Sequence, residues 1–308
     1  MELYFAPMEG ITSYLYRNTH HEMFPGMTRY YTPFVTPTSS SNFKSREKKD
    51  VIPEHNQGIP VVPQILSNAW KEFVYTGQCL MDYGYSEVNL NLGCPSGTVA
   101  GKGRGSGFLA LLPELNEFLE QIFTHSDFPI SIKTRIGKEE PEEFEKILEI
   151  YNQYPIRELI VHPRVQQEFY KNKPHLDIFA KALQHSKAPV CYNGDINTVS
   201  DYEQFAGQFP SVDRIMIGRG LIANPALVRQ IQGGAPLELS ELIAFSKVLT
   251  ARYREVMPEV PVLYKMKELW FYMSRQFPEP EKVWKKVRKT KKLREYENVI
   301  RTMEGTWI

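Results

Sequence analysis

The sequence predicts an α/β fold, a (β/α)8 TIM barrel followed by a C-terminal all-α bundle, and three observations lead there. Eight short apolar runs, at residues 3–6, 29–32, 61–65, 87–91, 130–134, 158–162, 190–193 and 214–218, each end in polar, Gly or Pro residues. Helical patterns fill the intervals, and strands that alternate with helices and read as buried form a parallel sheet, which eight such units close into a barrel. After Gly234 the alternation stops, and residues 237–256, 264–276, 280–293 and 295–303 read as helices with no strand between them. The chain is therefore expected to divide into a catalytic barrel over 1–236 and a helical domain over 237–308.

The elements follow in order. The first run leads into Pro7-Met8-Glu9-Gly10, which lacks the glycine fingerprint that an open doubly wound sheet would need. A helix is expected over 70–83. The fourth run leads into Asn91-Leu92-Gly93-Cys94-Pro95, a thiol set between glycine and proline at a strand end. Residues 96–107 are too glycine-rich for regular structure and predict a mobile loop over a site. They are not a P-loop, since Gly97 to Lys102 falls one residue short and Gly103 stands where Ser or Thr would bind magnesium. Further helices are expected over 113–125, 141–154 and 176–185.

Residues at the carboxyl ends of barrel strands carry the chemistry in this fold. Here they are Pro7, Met8 and Glu9, then Gln64, Asn91 with Cys94, Lys133 with Arg135, His162 with Arg164, Asn193-Gly194-Asp195, and Gly218-Arg219-Gly220. The last two groups place small residues and backbone amides after the seventh and eighth strands, where many barrels hold a phosphate, and Arg219 adds a charge. Lys133 would set a cation beside the electron-rich edge of a flavin, so FMN suits the site.

Charge is segregated along the chain. Residues 241–308 carry 15 Lys and Arg against 9 Glu, whereas the remainder carries 22 basic against 27 acidic residues. Within the tail, residues 282–294 hold eight basic side chains and no acid. Val283 and Val287 stand one turn apart and face inward, leaving Lys282, Lys285, Lys286, Arg288, Lys289 and Lys292 outward for a nucleic-acid backbone. Cys79, Cys94 and Cys191 are odd in number and widely spaced, which argues against a disulfide framework or a metal site and for a reducing cytoplasm. No signal peptide and no membrane span are expected.

The motifs Ala6-Pro7-Met8-Glu9-Gly10-Ile11-Thr12, Gln64-Ile65, Asn91-Leu92-Gly93-Cys94-Pro95, Ile132-Lys133-Thr134-Arg135-Ile136-Gly137, His162-Pro163-Arg164, Asn193-Gly194-Asp195-Ile196 and Met216-Ile217-Gly218-Arg219-Gly220 resemble, in order and spacing, those of the tRNA-dihydrouridine synthases. The resemblance covers residues 4 to about 225, and the helical tail suits that family's RNA-binding domain. It implies FMN held by Pro7, Met8, Glu9, Gln64, Lys133, His162, Asn193, Gly194, Asp195, Gly218 and Arg219, with NADPH as reductant. It also implies Cys94 as the acid that protonates uracil C5 after hydride reaches C6, and Asn91, Arg135 and Tyr170 as residues that read the uridine. A free thiol, with a pKa of about 8.5, is protonated at neutral pH and needs no histidine partner to act as an acid.

Pro163 and Ser13 depart from the family's common glycine and aspartate and bear on subgroup. The cysteine loop looks most like the bacterial subgroup acting at tRNA position 16. The expected partners are tRNA and NADPH, with a monomeric, cytoplasmic enzyme. The rival readings are a barrel reductase of a free pyrimidine, similar to dihydroorotate dehydrogenase, a dihydrouridine synthase acting on ribosomal RNA, and a non-catalytic RNA-binding module.

Overall fold

The structure, a computed structural model, describes residues 1–37 and 43–307. Its parallel strands are β1 (Glu2–Phe5), β2 (Arg29–Tyr31), β3 (Val61–Val62), β4 (Gln64–Ile65), β5 (Val88–Leu92), β6 (Ile130–Arg135), β7 (Leu159–His162), β8 (Val190–Tyr192) and β9 (Arg214–Ile217), in the order β3-β2-β1-β9-β8-β7-β6-β5-β4. The two ends of that order, β3 and β4, are one stretch of chain interrupted at Pro63. Tyr30 pairs with Val61 on one side and Gln64 with Asn89 on the other, so the sheet closes on itself. Proline has no N–H for the ladder, which is why one expected strand is observed as two. The expected (β/α)8 barrel is therefore the observed fold.

The helices are α1 (Tyr14–Met23), α2 (Ser45–Val51), α3 (Trp70–Asp82), α4 (Gly97–Ala100), α5 (Leu112–His125), α6 (Glu143–Tyr151), α7 (Leu176–His185), α8 (Val199–Gln208), α9 (Arg219–Ala223), α10 (Leu227–Ile231), α11 (Leu239–Val256), α12 (Glu259–Met273), α13 (Pro280–Lys289) and α14 (Leu293–Trp307). By packing they fall into two compact units. The first holds Met1–Pro7, Thr28–Asp195 and Phe209–Met216, and the second holds Met8–Met27, Ile196–Gln208 and Ile217–Ile308.

In the first unit, three barrel helices bury one stripe each at the same spacing. These are Phe73, Thr76, Gly77 and Leu80 on α3, Leu115, Phe118, Leu119 and Ile122 on α5, and Phe144, Ile147, Leu148 and Tyr151 on α6. Positions i, i+3, i+4 and i+7 line one face of a helix, so each lays an apolar stripe on the barrel wall. Gly77 is required on α3, because a Cβ there would stand 2.2 Å from the Phe128 ring. Inside the barrel Tyr4, Ala6, Tyr31, Val62, Ile160, Cys191 and Met216 form a buried cluster.

In the second unit α1 lies on α11, with Tyr16 and Phe24 edge-on to Phe245. His20 is buried there and donates from Nε2 to the Pro225 carbonyl at 3.0 Å. Burial holds its pKa down to about 3, against a smaller opposing effect of that hydrogen bond.

Two expectations for the tail need correction. Helix α12 starts at Glu259 rather than 264, since Pro258 caps it and Pro261 lies in its first turn, where proline costs no hydrogen bond. The basic run is not one helix. Helix α13 ends at Lys289, Thr290 turns to an extended backbone and donates from Oγ1 to the Val287 carbonyl, and the Lys291 N–H caps the next helix on Glu295.

Candidate active site

Strand β5, Val88-Asn89-Leu90-Asn91-Leu92, alternates apolar and amide side chains. Neighbours in register on a parallel sheet point the same way, and β6 sets Ser131 beside Asn89 and Lys133 beside Asn91. Lys133 in turn pairs with Ile160 of the interior cluster, so these polar side chains line the inside of the barrel.

There they form a directed chain of hydrogen bonds. The Ser131 hydroxyl donates to Glu87 Oε1 at 3.1 Å, and Asn89 Nδ2 donates to Ser131 Oγ at 3.0 Å. Gln64 Nε2 donates to Asn89 Oδ1, and Asn91 Nδ2 to Gln64 Oε1, both at 2.7 Å. The Asn91 Oδ1 so aimed accepts the amide N–H groups of Gly93 at 3.0 Å and Cys94 at 2.9 Å. A carboxylate only accepts, so Glu87, held by Arg29 and Arg157, sets the direction of every amide above it. The chain ends by presenting an acceptor to the cysteine turn.

The Cys94 carbonyl is held as well. It accepts from the Ser106 amide at 3.1 Å and the Ser106 hydroxyl at 2.8 Å. The glycine-rich segment is thus folded, not irregular. It forms α4 and a 3-10 helix over Gly105–Ala110, of which Gly105 to Leu109 are buried. Its glycines serve close approach: a Cβ on Gly105 (φ 55°) would lie 2.8 Å from the Cys94 carbonyl oxygen, and one on Gly107 2.3 Å from that of Ala100. Cys94 itself is half-buried, with both of its peptide groups fixed.

Arg135, 2% exposed, ties the turn to a second loop. Its Nε donates to the Gly93 carbonyl at 3.1 Å, one terminal nitrogen to that of Val165 at 2.9 Å and the other to that of Phe169 at 2.7 Å. Its guanidinium also lies over the Tyr170 ring, 5.4 Å from the centroid. Tyr170 meets the His162 ring edge-on at 5.9 Å.

Lys133, on β6 in register with Asn91, is half-buried. Burial, and then the Arg135 charge, bring its pKa down to about 8. At and beyond the ends of β7 and β8 the polar groups support one another. His162 Nε2 lies 3.3 Å from Arg164, which grips both oxygens of Asp195 and the Asn172 carbonyl. Asn193 Nδ2 donates to the Met216 carbonyl at 2.8 Å, and Gly194 has no room for a side chain, because its Cβ would fall 1.9 Å from the Tyr192 hydroxyl. In the second unit, the Met8 amide donates to Thr12 Oγ1 at 2.8 Å, Lys265 donates to the Gly10 carbonyl at 2.6 Å, Glu9 is exposed, and Arg219 opens α9 behind Gly218. Pro7, which closes the first segment of the first unit, is half-buried.

The six tail cations Lys282, Lys285, Lys286, Arg288, Lys289 and Lys292 are all exposed, with Val283 and Val287 buried beneath. Lys282 pairs with Glu279 at 2.8 Å. Lys292 lies beyond α13, in the link to α14. Among the described residues no cluster of His, Cys, Asp and Glu could hold a metal ion, and no helix is long and apolar enough to cross a membrane.

A family profile described as Dihydrouridine synthase (Dus) matches residues 4–306, almost the whole chain. The chain belongs to the dihydrouridine synthase family. Curated relatives agree with that enzyme family. A probable tRNA-dihydrouridine synthase of Staphylococcus epidermidis is 30% identical over 258 residues, covering 80% of this chain and 77% of the relative. Probable tRNA-dihydrouridine synthase 2 of Bacillus subtilis is 29% identical over 272 residues, covering 83% and 81%. Among solved structures, morphinone reductase is similar with a TM-score of 0.54 at 12% identity, over 77% of this chain and 87% of that one. An old yellow enzyme homologue from Zymomonas mobilis reaches 0.56 at 11%, over 77% and 90%. At such identities these two show the barrel fold alone.

The residues of the site that motif reading passed over are Glu87, Asn89, Ser131 and Ser106. For the first three a signal was present, since polar side chains at every second position of β5 and β6 mark the inside of a barrel.

Proposed function

We propose that the protein reduces uridines of tRNA to 5,6-dihydrouridine, with FMN as its bound cofactor, NADPH as the reductant and Cys94 as the proton donor. The observation that carries this reading is Cys94 itself, a thiol on the turn that follows β5, held at both peptide groups, beside the strand that carries the half-buried Lys133. The names of the curated relatives support tRNA as the substrate.

Lys133 provides the test of fit for the flavin. A half-buried ammonium whose pKa has fallen to about 8 gains from an electron-rich or anionic neighbour, which the edge of an isoalloxazine ring supplies. Pro7, Met8, Glu9, Gln64, Lys133, His162, Asn193, Gly194, Asp195, Gly218 and Arg219 would hold the cofactor. When bound, the flavin supplies the hydride that uracil takes up at C6.

The chain's own residues do the rest. Cys94 Sγ–H gives its proton to C5, where electron density gathers as hydride arrives, and recovers a proton from solvent. Asn91 and Arg135 orient the turn that carries Cys94, and their remaining N–H groups are available to the uracil edge. Tyr170, 52% exposed, offers a ring to a base turned out of its stack. The exposed cations of α13, with Lys292, take the RNA backbone. In this reading residues 1–236 carry the chemistry and 237–308 the RNA, and the protein works as a cytoplasmic monomer.

The test is reconstitution. Protein supplied with FMN and NADPH is expected to add two hydrogens to a mapped uridine of unmodified tRNA, read by mass spectrometry. Equal reduction of free uracil would favour the free-pyrimidine reductase and defeat the proposal.

A further inference from the structure

Beside the cysteine turn, the loop from Val165 to His175 carries the single non-glycine residue with positive φ among the described residues. Phe169 has φ 52° and ψ −98°, a conformation that a bulky L residue rarely adopts. The loop is built to keep it there. Arg135 holds its carbonyl, its own N–H donates to the Gln166 carbonyl at 3.2 Å, and Glu168 turns back onto the Val165 amide at 2.8 Å. What the arrangement yields is an aromatic ring turned outward, Phe169 at 45% exposure beside Tyr170 at 52%. Lys171 and Lys173 follow, both exposed.

Packing does not explain this placement, because a strained backbone that served the core would bury its side chain. Two adjacent exposed rings followed by two lysines match the chemistry of a single-stranded nucleic-acid path, with bases on the rings and phosphates on the cations. Position supports the same partner. The guanidinium that donates to the Phe169 carbonyl also donates to that of Gly93, so this lip lies one side chain away from the cysteine turn.

We propose that Phe169 is a stacking platform for a nucleotide adjacent in the RNA to the uridine being reduced, with Lys171 and Lys173 on the phosphates of that strand. The inference rests on the proposed reduction of tRNA. It assigns Phe169 to holding the flanking strand and thereby to keeping the target uridine out of its stack, not to the chemistry.

Two variants test it on the full-length, flavin-loaded protein. Phe169→Leu keeps apolar bulk without a stacking ring, and Phe169→Gly also releases the backbone strain. Both are expected to weaken tRNA binding about tenfold with NADPH oxidation and flavin content unchanged, and Phe169→Gly is expected to melt no lower than the parent. Phe169→Trp is expected to restore binding. RNA with an abasic residue on one side of the mapped uridine should bind parent and Phe169→Leu alike, which would identify the stacked nucleotide.

Unchanged tRNA affinity in Phe169→Leu would overturn the proposal, as would a loss expressed in the NADPH KM instead. An equal loss on RNA abasic at either flank would overturn it too. Failure of the parent protein to reduce tRNA at all is a separate outcome and would count against the proposed function.

Discussion

From Glu87 to Cys94 five buried side chains pass hydrogen bonds in one direction, whereas along α13 five cations stand in solvent and Lys282 pairs with one exposed carboxylate. Both regions are polar, but water is available to only one of them. Inside the barrel each donor has a specified acceptor, and removing a link strands its neighbours at about 1–3 kcal/mol each. On α13 an ion pair contributes about 0–1 kcal/mol to folding and is screened by salt. Changes in the first region should therefore act on geometry and rate, and changes in the second on affinity and its salt dependence.

The largest effect expected is at the end of the buried chain. Cys94→Ala should retain FMN and NADPH-dependent flavin reduction while product formation on tRNA falls by about 10²–10⁴. Turnover at the parent rate would show that another group supplies the proton.

Breaking the chain in its middle comes next. Ser131→Ala leaves Asn89 Nδ2 and Glu87 Oε1 without the hydroxyl that joins them, and should cost about 2–4 kcal/mol in urea unfolding. A matching fall in dihydrouridine formation at unchanged tRNA affinity would sharpen the contrast with α13. A variant as stable as the parent would remove the energetic half of it.

Charge reversal at Lys285, Lys286, Lys289 and Lys292 should weaken tRNA binding by about 10- to 100-fold near 0.1 M salt and flatten the salt dependence. Thermal unfolding should barely move. If affinity at low salt is unchanged, the RNA backbone lies elsewhere.

The smallest effect separates the surface of the helical unit from its interior. His20 is buried and neutral, with its folded pKa about 3 against the ordinary 6.5, so only the unfolded chain takes up a proton as pH drops below 6.5. Its contribution is complete above that value and declines toward pH 3, amounting to a loss of about 1.4 kcal/mol by pH 5.5. His20→Gln, which keeps a donor for the Pro225 carbonyl, should unfold with a shallower pH dependence over that interval. An unaltered slope would place the titrating group elsewhere.

Much of this was legible in the chain. Helix α7 begins and ends where periodicity sets it, because its stripe of Ile178, Phe179 and Ala182 is unbroken. The barrel was legible because each strand ends in polar or small residues. Other features were hidden by local signals that the fold overrides. Prolines masked the start of α12, an unbroken run of basic residues masked the turn at Thr290, and five glycines between 97 and 107 read as looseness although they permit close packing.

The sequence by itself determined the fold class and the presence of a cysteine at the end of a barrel strand, because those follow from periodicity and from residue types at strand ends, and the order and spacing of its motifs carried the resemblance to the family. Only the tertiary structure decided what the neighbours of that cysteine do. Hydrogen-bond direction depends on which groups meet across strands: Glu87, 44 positions from Ser131, orients amides that end at Cys94. Arg135 reaches Gly93 and Phe169, 42 and 34 positions away, and no local pattern encodes that junction.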